Sequence, residues 1–192
     1  MTQTVLDFRA SLDLALDTRI AYETAKLADK CAAKFVAIKK ELAHDKLAQI
    51  MLDNAYDVAC INEHKRDNNR KNIYSVEKHA NIVRALAKTE ALNHYTLHIF
   101  KTALKLEENE TQLTIADARS ACSLLETVKD KKREKLISKF QKNVAASTVN
   151  AQHSSSIDAL VCLNILREAR NAANERVYTL NRESEAFKML TA

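Results

Sequence analysis

The chain is expected to fold as an all-α, elongated bundle of four to six helices, joined by Asn/Ser-rich turns and containing no β-sheet. Three observations carry that expectation. Among 192 residues there is no glycine and no proline, so the two residues that most disfavour helix interiors are missing. Alanine occurs 29 times, mostly interleaved with Leu, Lys, Glu and Arg, the side chains that lose least on entering a helix. No segment shows sustained period-2 alternation of β-branched and aromatic residues, which is the signature of a half-buried strand. Ten aromatics in all, and no Trp, imply an aliphatic, alanine-rich core between closely approaching helices.

Taken in order, Thr4 is placed to cap a first helix to about Asp17, with Val5, Phe8, Leu12 and Leu16 returning every three or four residues. A longer stripe, Ile20, Leu27, Cys31, Phe35, Ile38 and Leu42, continues through His44 and Asp45 to Met51, Val58 and Ile61. It predicts one long helix or two nearly collinear ones from about 19 to 63. Asn62 to Asn72 is polar throughout and carries Asn68, Asn69 and Asn72, which makes it the best internal turn. The next helix shows Val76, Ala80, Val83 and Ala87 on one face. Beyond Glu90 the apolar set of Leu92, Tyr95, Ile99, Ala103 and Leu106 is displaced around the axis, so the helix bends there or changes partner.

Glu107, Glu108 and Glu110 mark a surface connection before a helix capped at Thr111 or Thr114, with Ile115, Ala118, Cys122 and Leu125 facing inward. Residues 129–135 read KDKKREK. They form either a solvent-exposed stretch of a continuous helix or the tip of a helical hairpin, and the helix-forming character of Lys, Arg and Glu favours the continuous helix. Ser147 to Ser156 reads as the last connector. From Ser155 or Ser156 a C-terminal helix carries Ile157, Leu160, Val161, Ile165, Leu166, Ala169, Ala173, Leu180, Phe187 and Leu190. With no Pro/Ser-rich linker and no repeat, one all-helical domain over 1–192 is the expected count.

Lack of glycine excludes a Gly-rich phosphate loop, a dinucleotide-binding fingerprint, a nucleophile elbow and a calcium loop, each of which needs backbone that a side chain would block. Cys31, Cys60, Cys122 and Cys162 contain no CxxC pair. They read as small buried hydrophobes of a reducing, cytoplasmic setting rather than as a zinc ribbon or redox motif. No run approaches 18 uncharged apolar residues, so a spanning helix is not expected.

Chemistry-bearing patterns are sparse. Glu90, His94 and His98 stand at i, i+4 and i+8, which overlays two imidazoles and a carboxylate on one helix face, although Lys101, Lys105 and Glu108 continue that sector as a solvated face. Glu41 and His44 form a single Glu-x-x-His, half of what a carboxylate di-metal bundle requires. His64, His79 and His153 fall near expected helix ends or loops and add no second ligand cluster. His153 beside Ser154–Ser156 is read as part of a helix cap, because adjacent residues do not face one another.

Charge is the stronger signal. The chain carries +5 overall, yet residues 64–71, with Lys65, Arg66, Arg70 and Lys71, net +3, and residues 129–142, with Lys129, Lys131, Lys132, Arg133, Lys135, Lys139 and Lys142, net +5. The rest is therefore mildly acidic. Localised Lys/Arg of this kind can neutralise phosphates or meet an acidic protein surface. The expected function is a non-enzymatic helical protein without cofactor that contacts nucleic acid, or else an acidic partner, through those eleven residues, with self-association possible. The alternatives are a structural subunit of a particle or complex, and a metal-binding helical-bundle enzyme.

Overall fold

A computed structural model describes residues 4–26, 29–62 and 73–192. Among the described residues there are nine α-helices: α1 (Val5–Lys26), α2 (Asp29–Leu42), α3 (Asp45–Asp53), α4 (Ile73–Leu86), α5 (His94–Glu108), α6 (Ile115–Ala121), α7 (Lys131–Leu136), α8 (Ala146–Cys162) and α9 (Glu185–Thr191), with a 3-10 turn over Val58–Ile61. Three strands, β1 (Leu113–Thr114), β2 (Leu166–Arg170) and β3 (Arg176–Leu180), form an antiparallel sheet in the order β1-β3-β2. The expectation of four to six helices and no sheet is therefore wrong on both counts. The chain is mostly helical but not all-α.

The N-terminal half departs from expectation mainly in where helices stop. Thr4 does cap α1: its Oγ1 accepts from the Asp7 N–H at 3.2 Å while the Asp7 carboxylate takes the Thr4 N–H. Phe8, Leu12 and Leu16 are buried. The helix runs past Asp17 and Thr18, and Thr18 bonds back to the Leu14 carbonyl at 2.8 Å. Arg19 and Glu23, one turn apart, are buried as an ion pair at 2.7 Å, with Arg19 also donating to the Ile61 carbonyl. The stripe expected as one or two helices over 19–63 is divided among the end of α1, α2, α3 and the 3-10 turn, with His44 extended (φ −67°, ψ 127°) between α2 and α3. The polar segment Glu63 to Asn72 lies outside the described residues.

How helices end without glycine is a consistent feature. After α3, Ala55 takes φ 50°, its N–H bonds to the Leu52 carbonyl and the next N–H, of Tyr56, bonds to Met51. The same pair of bonds recurs with Lys88 (φ 59°) after α4, Glu110 (φ 57°) after α5 and Asn164 (φ 56°) after α8. These are four Schellman terminations, a geometry in which glycine ordinarily occupies the left-handed position because any Cβ is strained there. The one after α4 separates α4 from α5, so the displaced apolar face beyond Glu90 reflects a break between two helices rather than a bend.

The largest differences lie beyond residue 121. The continuous helix through the charged run does not form. Instead α6 ends at Ala121, and Ser123 Oγ accepts the N–H groups of Leu125 (3.1 Å) and Val144 (2.9 Å), pinning both ends of an irregular segment that contains the short α7. The serine-rich stretch expected as a connector is the body of α8. Ser155 Oγ bonds the Ala151 carbonyl at 2.7 Å and the Ser156 hydroxyl accepts from Thr96 at 3.0 Å, so hydroxyls that would favour a turn are satisfied within and between helices. Asn164 then ends α8, and residues expected to prolong it become the β2–β3 hairpin. Its tip is closed by Asn171 Oδ1, which accepts from Ala173 N and Glu175 N. Leu166 pairs with Leu180 and Glu168 with Tyr178 across the ladder.

The core cluster includes Phe8, Leu12 and Phe35 from the N-terminal helices, Val76, Ala80 and Val83 from α4, Ile99 and Leu106 from α5, Ile157 and Leu160 from α8, and Tyr178 and Phe187 from the C-terminal part. Among the described residues, helices α4 and α8 are packed extensively along one another. Among the described residues no helix is long and apolar enough to cross a membrane.

Candidate metal centre

Each of the two central helices carries a pair of polar side chains one turn apart, Ser75 and His79 on α4 and Asp158 and Cys162 on α8. Residues at i and i+4 lie above one another on one helix face, and these two faces meet. The imidazole of His79, a carboxylate oxygen of Asp158 and Sγ of Cys162 all lie within 4.8 Å of one another, the one such group among the described residues. His79 is 1% exposed and Cys162 8%, whereas the Asp158 side chain keeps 21% of its surface. Asp158 is thus the least covered of the three.

Its surroundings orient each member. Tyr56, delivered by the Schellman turn that ends α3, is buried, and its Oη stands 2.7 Å from His79 Nδ1 with the rings edge to face at 5.5 Å. Nε2 is thereby left facing the cluster. It is 3.5 Å from Asp158 Oδ2 and makes no hydrogen bond among the described residues. Ser75 Oγ donates to the same carboxylate oxygen. Burial pushes the Tyr56 phenol well above its ordinary range, and the negative fields of Cys162, Cys60, Asp158 and Asp57 add to this, so the hydroxyl stays protonated and available as donor or acceptor.

Nitrogen, carboxylate and thiolate donors together suit a borderline-soft divalent ion such as Zn²⁺ rather than Mg²⁺ or Ca²⁺. Tetrahedral bonds of about 2.0–2.3 Å put ligand atoms roughly 3.3–3.8 Å apart, so the present spread requires a contraction of about 1 Å, within reach of side-chain rotation. The expectation of a protein without catalytic machinery is overturned by this convergence. Three protein ligands are the number that leaves a fourth tetrahedral position for a reacting water.

The positions singled out from sequence are placed otherwise. Glu90 precedes α5 and pairs with Arg84. His94 opens α5 and stacks on Phe140 at 5.5 Å, and His98 Nδ1 lies 3.0 Å from Ser138 Oγ, where burial and the Lys101 charge lower its pKa. The three do not converge. Glu41 pairs with Arg84, and His44 is the residue before α3. His79, which the sequence puts near a helix end, and Cys162, which it puts in the core, are instead brought together with Asp158. His153 is buried in α8 with Nδ1 2.8 Å from the Val149 carbonyl.

Of the basic residues, Lys65, Arg66, Arg70 and Lys71 lie outside the described residues. In the second cluster Arg133 is bound to Asp117 and to the Gln112 carbonyl, and Lys139 to Glu134 and the Glu126 carbonyl at 2.7 Å. Lys142 lies over the Phe140 ring at 5.6 Å. Lys129, Lys131, Lys132 and Lys135 are exposed on and beside α7. The expectation of an all-α module that binds nucleic acid or a partner protein is therefore corrected: among the described residues no basic nucleic-acid surface and no assembly interface is evident, because part of the charge is paired with internal carboxylates. Comparison with protein-family models, with curated proteins and with solved structures returns no match to this chain.

Proposed function

We propose that the protein binds a divalent transition metal of the zinc class between α4 and α8, through His79 Nε2, Asp158 and the Cys162 thiolate, and that the fourth coordination position serves metal-assisted water chemistry. The observation that carries this reading is the convergence of three different ligand types on facing helices within 4.8 Å. With His79 Nε2 on the ion and its Nδ1 carrying the ring hydrogen, the carboxylate oxygen of Asp158 that is not on the ion is the group that would take up a proton from a metal-bound water, whose pKa such an ion would lower toward neutrality.

A Cys–His–Asp nucleophilic arrangement fits less well. It requires the thiol on one ring nitrogen and the carboxylate on the other, whereas Tyr56 holds Nδ1 and Asp158 faces Nε2.

The test is metal stoichiometry on the purified chain. Equilibrium dialysis against Zn²⁺ followed by elemental analysis is expected to give one ion per chain, and Co²⁺ is expected to give a thiolate charge-transfer band. Both are lost in Cys162→Ser and His79→Ala. Sub-stoichiometric metal in the parent chain, or an unchanged Co²⁺ spectrum in Cys162→Ser, overturns the assignment.

A further inference from the structure

We infer that Tyr56 is the positioning residue of this centre, and that it makes His79 a two-state ligand by exchanging the donor and acceptor roles in the hydrogen bond at Nδ1. The inference rests on the metal reading above and adds to it how the site is loaded and released.

Two facts fix the starting state. Asp158 faces Nε2 at 3.5 Å, and a carboxylate beside a ring nitrogen favours the tautomer with its hydrogen on that nitrogen. Nδ1 then carries the lone pair, and the Tyr56 O–H, 2.7 Å away, donates to it. Nε2 cannot ligate while it bears a hydrogen. Ligation therefore leaves the ring hydrogen on Nδ1, where it needs an acceptor, and a metal-bound imidazole almost always finds one. The phenol oxygen already in place serves, because a hydroxyl is both donor and acceptor. A carboxylate or carbonyl at this position would lock the ligating tautomer, and a backbone N–H would lock the other. Tyr56 permits both.

The consequence is a centre whose metal-free form is internally satisfied at Nδ1 and at the Ser75–Asp158 contact, set in a core built largely from apolar residues elsewhere in the chain. The fold does not wait for the ion, in contrast with small zinc modules that are unfolded without it. Metal enters and leaves a folded chain.

Nuclear magnetic resonance of the full chain with ¹⁵N-labelled histidine tests this directly. Two-bond ¹H–¹⁵N correlations are expected to show His79 protonated at Nε2 without metal and at Nδ1 with one equivalent of Zn²⁺, in a chain that stays folded in both states. In Tyr56→Phe the Zn²⁺ dissociation constant is expected to rise about 10- to 100-fold, while the Co²⁺ thiolate band keeps its position because the donor atoms are unchanged. An unchanged tautomer on metal addition, or an affinity of Tyr56→Phe within two-fold of the parent, overturns the role of Tyr56 and leaves the metal site standing. A parent chain that takes up no Zn²⁺ overturns both.

Discussion

Arg133, in the middle of the most basic segment of the chain, reaches back to the carboxylate of Asp117, which is fully buried at the start of α6. Its Nε donates to Oδ1 at 2.6 Å, and the same carboxylate takes the Thr114 N–H and hydroxyl at 2.7 Å each, completing a capping box. The carboxylate raises the Arg133 pKa, its hydrogen bond outweighing the cost of burial. A charge that reads as surface potential in the sequence is thus the counter-ion of an internal acid.

Arg133→Ala strips that counter-ion from a buried carboxylate and is expected to cost about 2–3 kcal/mol of stability. Lys132→Ala, one residue away and exposed, is expected to cost under about 0.5 kcal/mol. Urea denaturation of the two variants checks the difference, and equal small effects would refute it.

Glycine substituted at the left-handed helix ends is expected to stabilise the chain. Lys88→Gly and Glu110→Gly relieve a strained backbone at exposed sites and should each add about 0.5–1 kcal/mol. Ala10→Gly, at an exposed position inside α1, should instead lose about 1 kcal/mol. Thermal melts that moved all three in the same direction would contradict the Schellman reading.

Lys78 is 5% exposed, donates to Asn93 Oδ1 and sits 5.1 Å from the Tyr95 ring centre. Burial lowers its pKa to about 8, against the smaller opposing effects of Cys122 and Glu77. Between about pH 8 and the ordinary value of 10.5 the unfolded chain holds the extra proton, so this group makes stability rise with pH across that window and imposes its full cost below it. The gap is worth about 3 kcal/mol. Lys78→Met should therefore be the more stable protein at pH 7, with its advantage shrinking by pH 10. Denaturation curves at the two pH values decide it; an advantage that did not shrink would refute it.

Cys122 is fully buried, and burial pushes its thiol up to about 12, with Lys78 opposing the shift. A folded pKa above the ordinary value of 9.0 means that its contribution is intact below pH 9 and is lost as pH rises toward 12. With iodoacetamide at pH 8, half-buried Cys60 should be alkylated well ahead of Cys122, and Zn²⁺ should slow labelling of Cys162 specifically. Peptide mass spectrometry resolves the order, and early labelling of Cys122 would contradict its burial.

Much of the fold was legible where local chemistry and tertiary packing agree. The Thr4 cap and the Phe8, Leu12 and Leu16 face of α1 could be read directly, as could the change of apolar face near Glu90. The reading failed where the same local chemistry serves two outcomes. Leu166–Arg170 is composed largely of helix formers yet becomes an edge strand, because Asn164 ends α8 and β3 supplies the ladder. Ser154–Ser156 looks like a connector yet lies inside α8, because the Ser155 hydroxyl finds a partner on the preceding turn and the Ser156 hydroxyl on α5. The candidate centre left only a faint trace, the i, i+4 spacings Ser75/His79 and Asp158/Cys162. Neither is distinctive until α4 is laid against α8.

By itself the sequence determined a mainly helical, aliphatic chain, since the absence of glycine and proline removes most other options and alanine-rich amphipathic segments gain little from any other state. It also determined which motif-borne chemistries are missing. Only the tertiary structure decided where helices stop, that three strands form a sheet, that Arg133 and Lys139 are bound to internal carboxylates, and that His79, Asp158 and Cys162 meet. The reason is physical: propensity and periodicity act over a few neighbouring residues, whereas a ligand set or a counter-ion is a relation between side chains some 80 or 16 positions apart. Packing alone creates that relation.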